Sequence, residues 1–150
     1  MNTNTYATHQ EAMPQGLNAL LVRHSHWLLR AALASVFLFH GLQKFFMGIG
    51  GFAAMMNLPI AVAFLVALAE VLAGLGIIAG AAWHNRWGDI ATRLAAFASV
   101  PVMLGAITMV HWGQWNFMAT ESHPMGGIEF QVVLLFLALY FVLRGNQSPS

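Results

Sequence analysis

Three titratable side chains lie in apolar sequence where an ionised group is expensive. His40 and Lys44 occur in LLRAALASVFLFHGLQKFF, and Glu70 occurs in FLVALAEVLAGLGIIAG. An ionised carboxylate at the centre of a bilayer costs about 2.5–3.5 kcal/mol on insertion scales and more in simulations. Glu70 must therefore be paired, protonated or turned toward a polar cavity. Two roles fit it: a structural anchor that holds helices together, or a proton-handling or ligand-binding carboxyl, since an acid kept from water is suited to proton exchange. His40 and Lys44 are one helical turn apart and share a face. In antiparallel neighbours His40 would fall within one or two turns of Glu70, which makes a His, Lys and Glu cluster feasible. The plainer readings are that Lys44 reaches along its stem to the headgroups and that His40 makes an interhelical hydrogen bond. Gln43 points about 100° away from both and carries little weight.

Arg30 lies three residues inside Trp27. The cheapest expectation is that its guanidinium extends to the near interface as a structural polar group, and an ion pair with Glu70 is the other. His111, Trp112, Trp115, Glu121, His123 and Glu129 crowd one connecting segment. His40, His111 and His123 could approach one another, and imidazole suits Zn, Cu or haem iron. No pair has a diagnostic ligand spacing, so no metal residue is assigned and haem or metal is not expected. The tryptophans read as an interfacial aromatic belt rather than a stacking platform. Glu129 and Gln131 are two apart, so at most one faces the helix bundle. Gly74, Gly76 and Gly80, with Ala69 and Ala73, are small residues that permit close helix packing. GIGG lacks a βαβ context and is no dinucleotide fingerprint.

The elements that must position these residues follow from composition. Of 150 residues, 59% are hydrophobic and only 7% charged, with six Lys or Arg against five Asp or Glu. A chain this small cannot hide that much apolar surface inside itself, so the bilayer is its solvent. A net charge of +1 without a basic cluster excludes nucleic acid as a partner. With no cysteine, disulfides, thiol redox pairs and cysteine-ligated clusters are excluded, so any redox role needs a bound cofactor or quinone.

Four apolar segments read as spanning helices: 27–46, 59–82, 90–110 with Pro101 in its middle, and 128–143, the last at the lower limit of spanning length. The expected fold is all-α, an antiparallel four-helix transmembrane bundle over 23–145. A polar N-terminal tail, 1–22, ending in a short interfacial helix, precedes it, and a C-terminal tail, 146–150, follows. The stretch 47–58 reads as a turn with a short segment near the surface. Four spans put both termini on one side. Arg23, Arg30, Arg86, Arg93 and Arg144 cluster toward that face, so the positive-inside rule makes it cytoplasmic.

The segments LLRAALASVFLFHGLQKFF, FAAMMNLP, FLVALAEVLAGLGIIAG, HWGQWNF and HPMGGIEFQ together resemble the DoxX-like family of small four-helix bacterial membrane proteins, over about residues 24–144. The pieces that carry the resemblance are Arg30, the His-Gly-x-x-Lys element of His40, Gly41 and Lys44, Glu70 followed by Gly74, and Gly126, Gly127 and Glu129. The family takes its name from a subunit of a thiosulfate:quinone oxidoreductase. The resemblance therefore implies an inner-membrane protein serving as the membrane component of a quinone-linked oxidoreductase system, acting with a partner protein. On that reading Glu70 and His40 exchange protons and Lys44 stabilises an anionic form. His40, Glu70, His111, Trp112 and Glu129 are then the candidates to bind a quinone or similar small molecule. Whether the chain is itself catalytic stays open, as does homo-oligomerisation. The alternative is a non-catalytic anchor or assembly factor in which the same residues only specify the bundle; a small transporter is the weaker third reading.

Overall fold

The computed structural model describes residues 15–146; most of the expected polar tail and the end of the C-terminal tail lie outside them. All the regular structure among these residues is helical. Helix α1 is Gln15–Met47, α2 is Ile49–Met56, α3 is Ile60–Ala82, α4 is Arg86–Ala106 continued by a π-helical turn Ile107–His111, and α5 is Glu129–Arg144. The first three expected spans coincide with most of α1, with α3, and with α4 and its π turn; the fourth coincides with α5. The principal departure is at the start. α1 begins at Gln15, inside the stretch read as a tail, and its 33 residues make a rod of about 50 Å, longer than the roughly 30 Å of hydrocarbon it has to cross.

Local chemistry explains the breaks. α1 stops because Gly48 adopts φ 88°, a left-handed conformation open to glycine. The chain turns through 102° there, and α2 leaves nearly at right angles to α1. Asn57, at φ 52°, caps α2, its N–H reaching back to Ala53 and Ala54 carbonyls. Pro59 then leads into α3, where its missing N–H is not needed. α4 starts at Asn85, whose side-chain oxygen accepts from the N–H groups of Trp87 and Gly88. The helix continues through Pro101 to Ala106, and its geometry changes at the π turn, which ends on His111.

The four long helices alternate in direction, and their shared core is made of Leu33, Ala34 and Phe37 from α1, Ala73 and Ile77 from α3, Ala95, Ala96 and Met103 from α4, and Leu134, Ala138 and Phe141 from α5. Outside it, Phe39, Leu65, Leu72, Leu94, Phe97, Phe136 and many others are exposed. A covering of large apolar side chains over a small-residue interior is the inverse of a water-soluble surface and suits lipid. α3 and the 26-residue run Arg86–His111 are long and apolar enough to cross a membrane, and α1 with α2 passes as a bent pair. α5, with 16 residues, extends about 24 Å, which suffices with modest local thinning of the bilayer.

The small residues of α3 set the interhelical distances. A methyl group at Gly74 would lie 2.5 Å from Leu38 of α1, one at Gly76 would lie 2.6 Å from Ala95 of α4, and one at Gly80 would overlap Thr92 Oγ1 and meet the Gly88 carbonyl at 2.9 Å. Gly80 therefore faces backbone that cannot yield, whereas Gly105 has nothing within 4 Å. Gly80→Ala is expected to destabilise the protein by about 1–3 kcal/mol. Gly105→Ala should be neutral or stabilising by up to about 1 kcal/mol through helix propensity. Thermal unfolding of both variants in the same detergent checks the contrast.

Candidate functional site

The central feature is an ion pair between α1 and α3. Lys44 Nζ donates to Glu70 Oε2 at 2.6 Å, and only 15% of the lysine side chain and 6% of the carboxylate side chain are exposed. The local cause is Gly41. A Cβ there would lie 2.8 Å from Val71 Cγ2 and 2.9 Å from both Glu70 Cβ and the Val71 nitrogen, so the α1 backbone rests directly on α3 at the level of Glu70. Lys44, one turn further along α1, is thereby brought to the carboxylate. In the His-Gly-x-x-Lys element the glycine sets the helix spacing and the lysine supplies the charge. From the other side α2 closes over the pair: the Phe52 ring centroid is 5.0 Å from Lys44 Nζ, a cation–π contact.

His40 does not join this pair. Its side chain is exposed on the outer surface of α1, and its ring packs edge-on against Phe39 at 5.4 Å. Its contribution to Lys44 is its backbone carbonyl, which accepts from Nζ at 3.3 Å. The expected His, Lys and Glu cluster is therefore a Lys and Glu pair with His40 on an adjacent, outward face. The difference arises because α1 meets α3 through the Gly41 side of its surface, which turns His40 away from the contact.

Arg30 corrects the expectation more sharply. It is 1% exposed, and so neither reaches an interface nor pairs with Glu70. Nη1 donates to the Ile77 carbonyl at 2.6 Å and to Thr92 Oγ1 at 3.1 Å; Nη2 donates to Asn146 Oδ1 at 2.6 Å and to the Gly145 carbonyl at 3.4 Å. The guanidinium also sits 4.8 Å above the Phe141 ring. Its partners come from the last third of α3, the first turns of α4 and the two residues that follow α5. Those groups replace the water and headgroups that an interfacial arginine would use. Asn146 completes the cluster, donating to the Gly80 carbonyl at 2.5 Å, accepting from Thr92 Oγ1 at 2.7 Å, and donating through its backbone N–H to Asp89 Oδ1 at 2.7 Å. Beside it Arg93 pairs with Asp89 at 2.8 Å and donates to the Val142, Leu143 and Arg144 carbonyls at 2.7, 2.8 and 3.2 Å. Sequence reasoning missed Thr92, Asn146, Asp89 and the capping role of Arg93. The one available signal was the Gly-Asn step after the last apolar run, a helix-terminating pattern.

At the opposite end, residues 112–128 fold back on themselves, Gly127 and Ile128 N–H donating to the Asn116 and Gln114 carbonyls. His111 Nδ1–H donates to the Gly126 carbonyl at 2.9 Å, which leaves Nε2 to accept from the Gln131 amide at 2.9 Å. Gln131 is thus the residue of its pair that faces inward. Glu129 instead accepts from the Phe117 N–H at 3.3 Å, and Trp112 and Trp115 are 68% and 60% exposed. His123 donates through Nε2 to the Trp112 carbonyl at 3.0 Å. Among the described residues no hydrogen bond or ion pair joins His111, Trp112 or Glu129 to Lys44 or Glu70, and no group of His, Asp and Glu is arranged to hold a metal ion.

The DoxX family model matches residues 26–112. The chain belongs to the DoxX family. The matched stretch contains Arg30, Gly41, Lys44, Glu70 and Thr92, and hence both the ion pair and most of the arginine cluster. It ends before α5, so Gly126, Gly127 and Glu129 lie beyond it. No curated protein and no solved structure matches the chain. What family membership establishes is a membrane protein with apolar helices in contact with lipid.

Removing one member of the desolvated pair leaves the other charge stranded. Lys44→Met is expected to cost about 3–5 kcal/mol, and Lys44→Met with Glu70→Gln substantially less, because no unpaired charge then remains. A double-mutant cycle on thermal unfolding in detergent would show this as strong coupling; additive losses would mean that the two side chains do not meet. The arginine cluster should behave as one unit. Arg30→Lys and Asn146→Ala are each expected to lower stability by about 1–3 kcal/mol, with the double variant falling short of their sum.

Proposed function

We propose that this DoxX-family protein is the membrane component of a quinone-linked oxidoreductase system in the bacterial inner membrane, with both termini in the cytoplasm. The observation that carries this reading is the Lys44–Glu70 pair: an ammonium and a carboxylate held together out of water in a chain that otherwise presents lipid with apolar groups. A quinone supplies the redox chemistry, taking up two electrons and two protons to give a quinol. The electrons come from a partner protein or another bound cofactor, since this chain has no cysteine for thiol redox chemistry. Lys44 would hold a quinone oxygen as negative charge develops on it, and Glu70, the acceptor in the hydrogen bond the two already share, would take up the two protons in turn from water and hand them to the reduced quinone. His40, exposed one turn away on α1, is a second protonatable group on that helix. The clustering of Arg30, Arg86, Arg93 and Arg144 at the end bearing the termini, with Lys44 toward the other, supports the orientation.

A second reading is a non-catalytic anchor or assembly factor. What favours it is the contact of Gly41 with the Val71 backbone beside the pair, which makes the pair a lock between α1 and α3. Native mass spectrometry of protein extracted with its lipids separates the two. Retained quinone in the wild-type protein, lost from the Lys44→Met/Glu70→Gln variant while the bundle stays folded, is the expected result. Absence of quinone, together with no mass shift on adding a short-chain quinone, would leave the anchor reading in its place.

A further inference from the structure

Helix α2 contributes no side chain to the shared core of the bundle. It is eight residues long, meets α1 at 102°, and is bounded by two backbone positions with left-handed φ, Gly48 at 88° and Asn57 at 52°. Residues 50 and 51 are both glycine, and a Cβ at Gly50 would meet nothing within 4 Å. The helix is seated by two buried side chains, Phe52 and Ala53, which pack on Ala63 at the start of α3, with Ile49, Met56, Leu58 and Val66 partly buried around them. Beneath it lies the Lys44–Glu70 pair, with Phe52 over the ammonium. The long helices are instead tied by the shared core and, at the other end, by the Arg30 and Arg93 networks. Segments held by few buried contacts between conformationally permissive joints are those that open locally while the remainder stays folded.

We infer that α2 is a hinged lid, pivoting at Gly48 and Asn57, that lifts Phe52 away from Lys44 and opens the ion pair to the face of the bundle that carries residues 112–128. The antiparallel order puts α2 at that end, since α1 finishes there, α3 begins there and α4 finishes there. With the lid down, the pair is dry and neutral overall. With it raised, the pair meets water and Glu70 can take up a proton from it, and a polar headgroup can enter beside Lys44 with its apolar tail left in lipid. The movement requires no rearrangement of α3, α4 or α5. Entry of a quinone headgroup by this route rests on the function proposed above; the hinge itself does not.

The absence of cysteine makes accessibility a direct test in protein reconstituted into nanodiscs. Ala53→Cys places a thiol under the lid, and Glu121→Cys supplies an exposed control on the 112–128 loop. A membrane-impermeant maleimide should label Ala53→Cys at least tenfold more slowly than the control but to completion, and faster once Phe52→Ala weakens the seat. No labelling of Ala53→Cys, or labelling as fast as the control, overturns the lid. A second arm uses Ala53→Cys/Ala63→Cys, oxidised to pin α2 to α3, and a short-chain quinone as probe. Binding when reduced and at least tenfold slower binding when oxidised supports entry beneath α2; equal rates overturn that route and leave the proposed function standing. Binding in neither state, with the wild-type protein also failing to bind, overturns the proposed function, and the maleimide arm then decides the lid by itself.

Discussion

The constraint on which the structure depends is that a carboxylate in the middle of an apolar helix has to find a cation before it can be taken from water. Glu70 finds Lys44, and it does so because Gly41 removes the side chain that would hold α1 and α3 apart. Charge pairing and close packing are thus one event at one level of the bundle. The glycine brings the backbones into contact, the contact fixes the axial register of α1 on α3, and the register brings the ammonium to the carboxylate. Most of what lies between and around these helices is hydrocarbon, so a slip in register would leave two isolated ions in a medium that solvates neither.

The other end of the molecule solves the same problem differently. Arg30 is as deeply enclosed as any core phenylalanine, yet its partners are carbonyls, a hydroxyl and an amide rather than an acid. A guanidinium suits this arrangement because its donors fan out in a plane and can serve several acceptors at once. Ile77 of α3, Thr92 of α4 and the two residues after α5 supply those acceptors. One positive charge therefore gathers α1, α3, α4 and the residues that end α5. At the Lys44 end the two charges cancel directly and the covering is a short helix. The arginine end is thus tied by a network of hydrogen bonds, while the pair at the other end is covered by a single short helix.

The helices were legible because their physics is additive along the chain. Apolar runs of spanning length and a cluster of glycines at a turn read out without knowledge of neighbours. The start of α1 was not, because residues 15–26 mix leucines with polar groups and no cap marks where the helix begins. Glu70 and Lys44 could be singled out by type and position, and Gly41 only through the family resemblance. That His40 would be turned outward while Lys44 turned inward could not be read, since both lie on one broad face and only the line of contact with α3 separates them. Arg30 was placed wrongly for a related reason. Its distance from Trp27 suggested an exit to the interface, whereas its partners come from residues 77, 92, 145 and 146, which no local spacing connects.

Sequence by itself determined that this chain is a membrane-embedded bundle of helices, that a lone acid in its second span must be compensated, and that thiol chemistry is absent. These follow from composition and from the transfer cost of single groups, which do not depend on which helix neighbours which. Tertiary structure decided which cation met the acid, which imidazole stayed outside, and which carbonyls, hydroxyl and amide took the place of an acid around an arginine. Such matters turn on interhelical register and on distances of an ångström or two, fixed by glycines whose effect appears only when a second backbone lies against them.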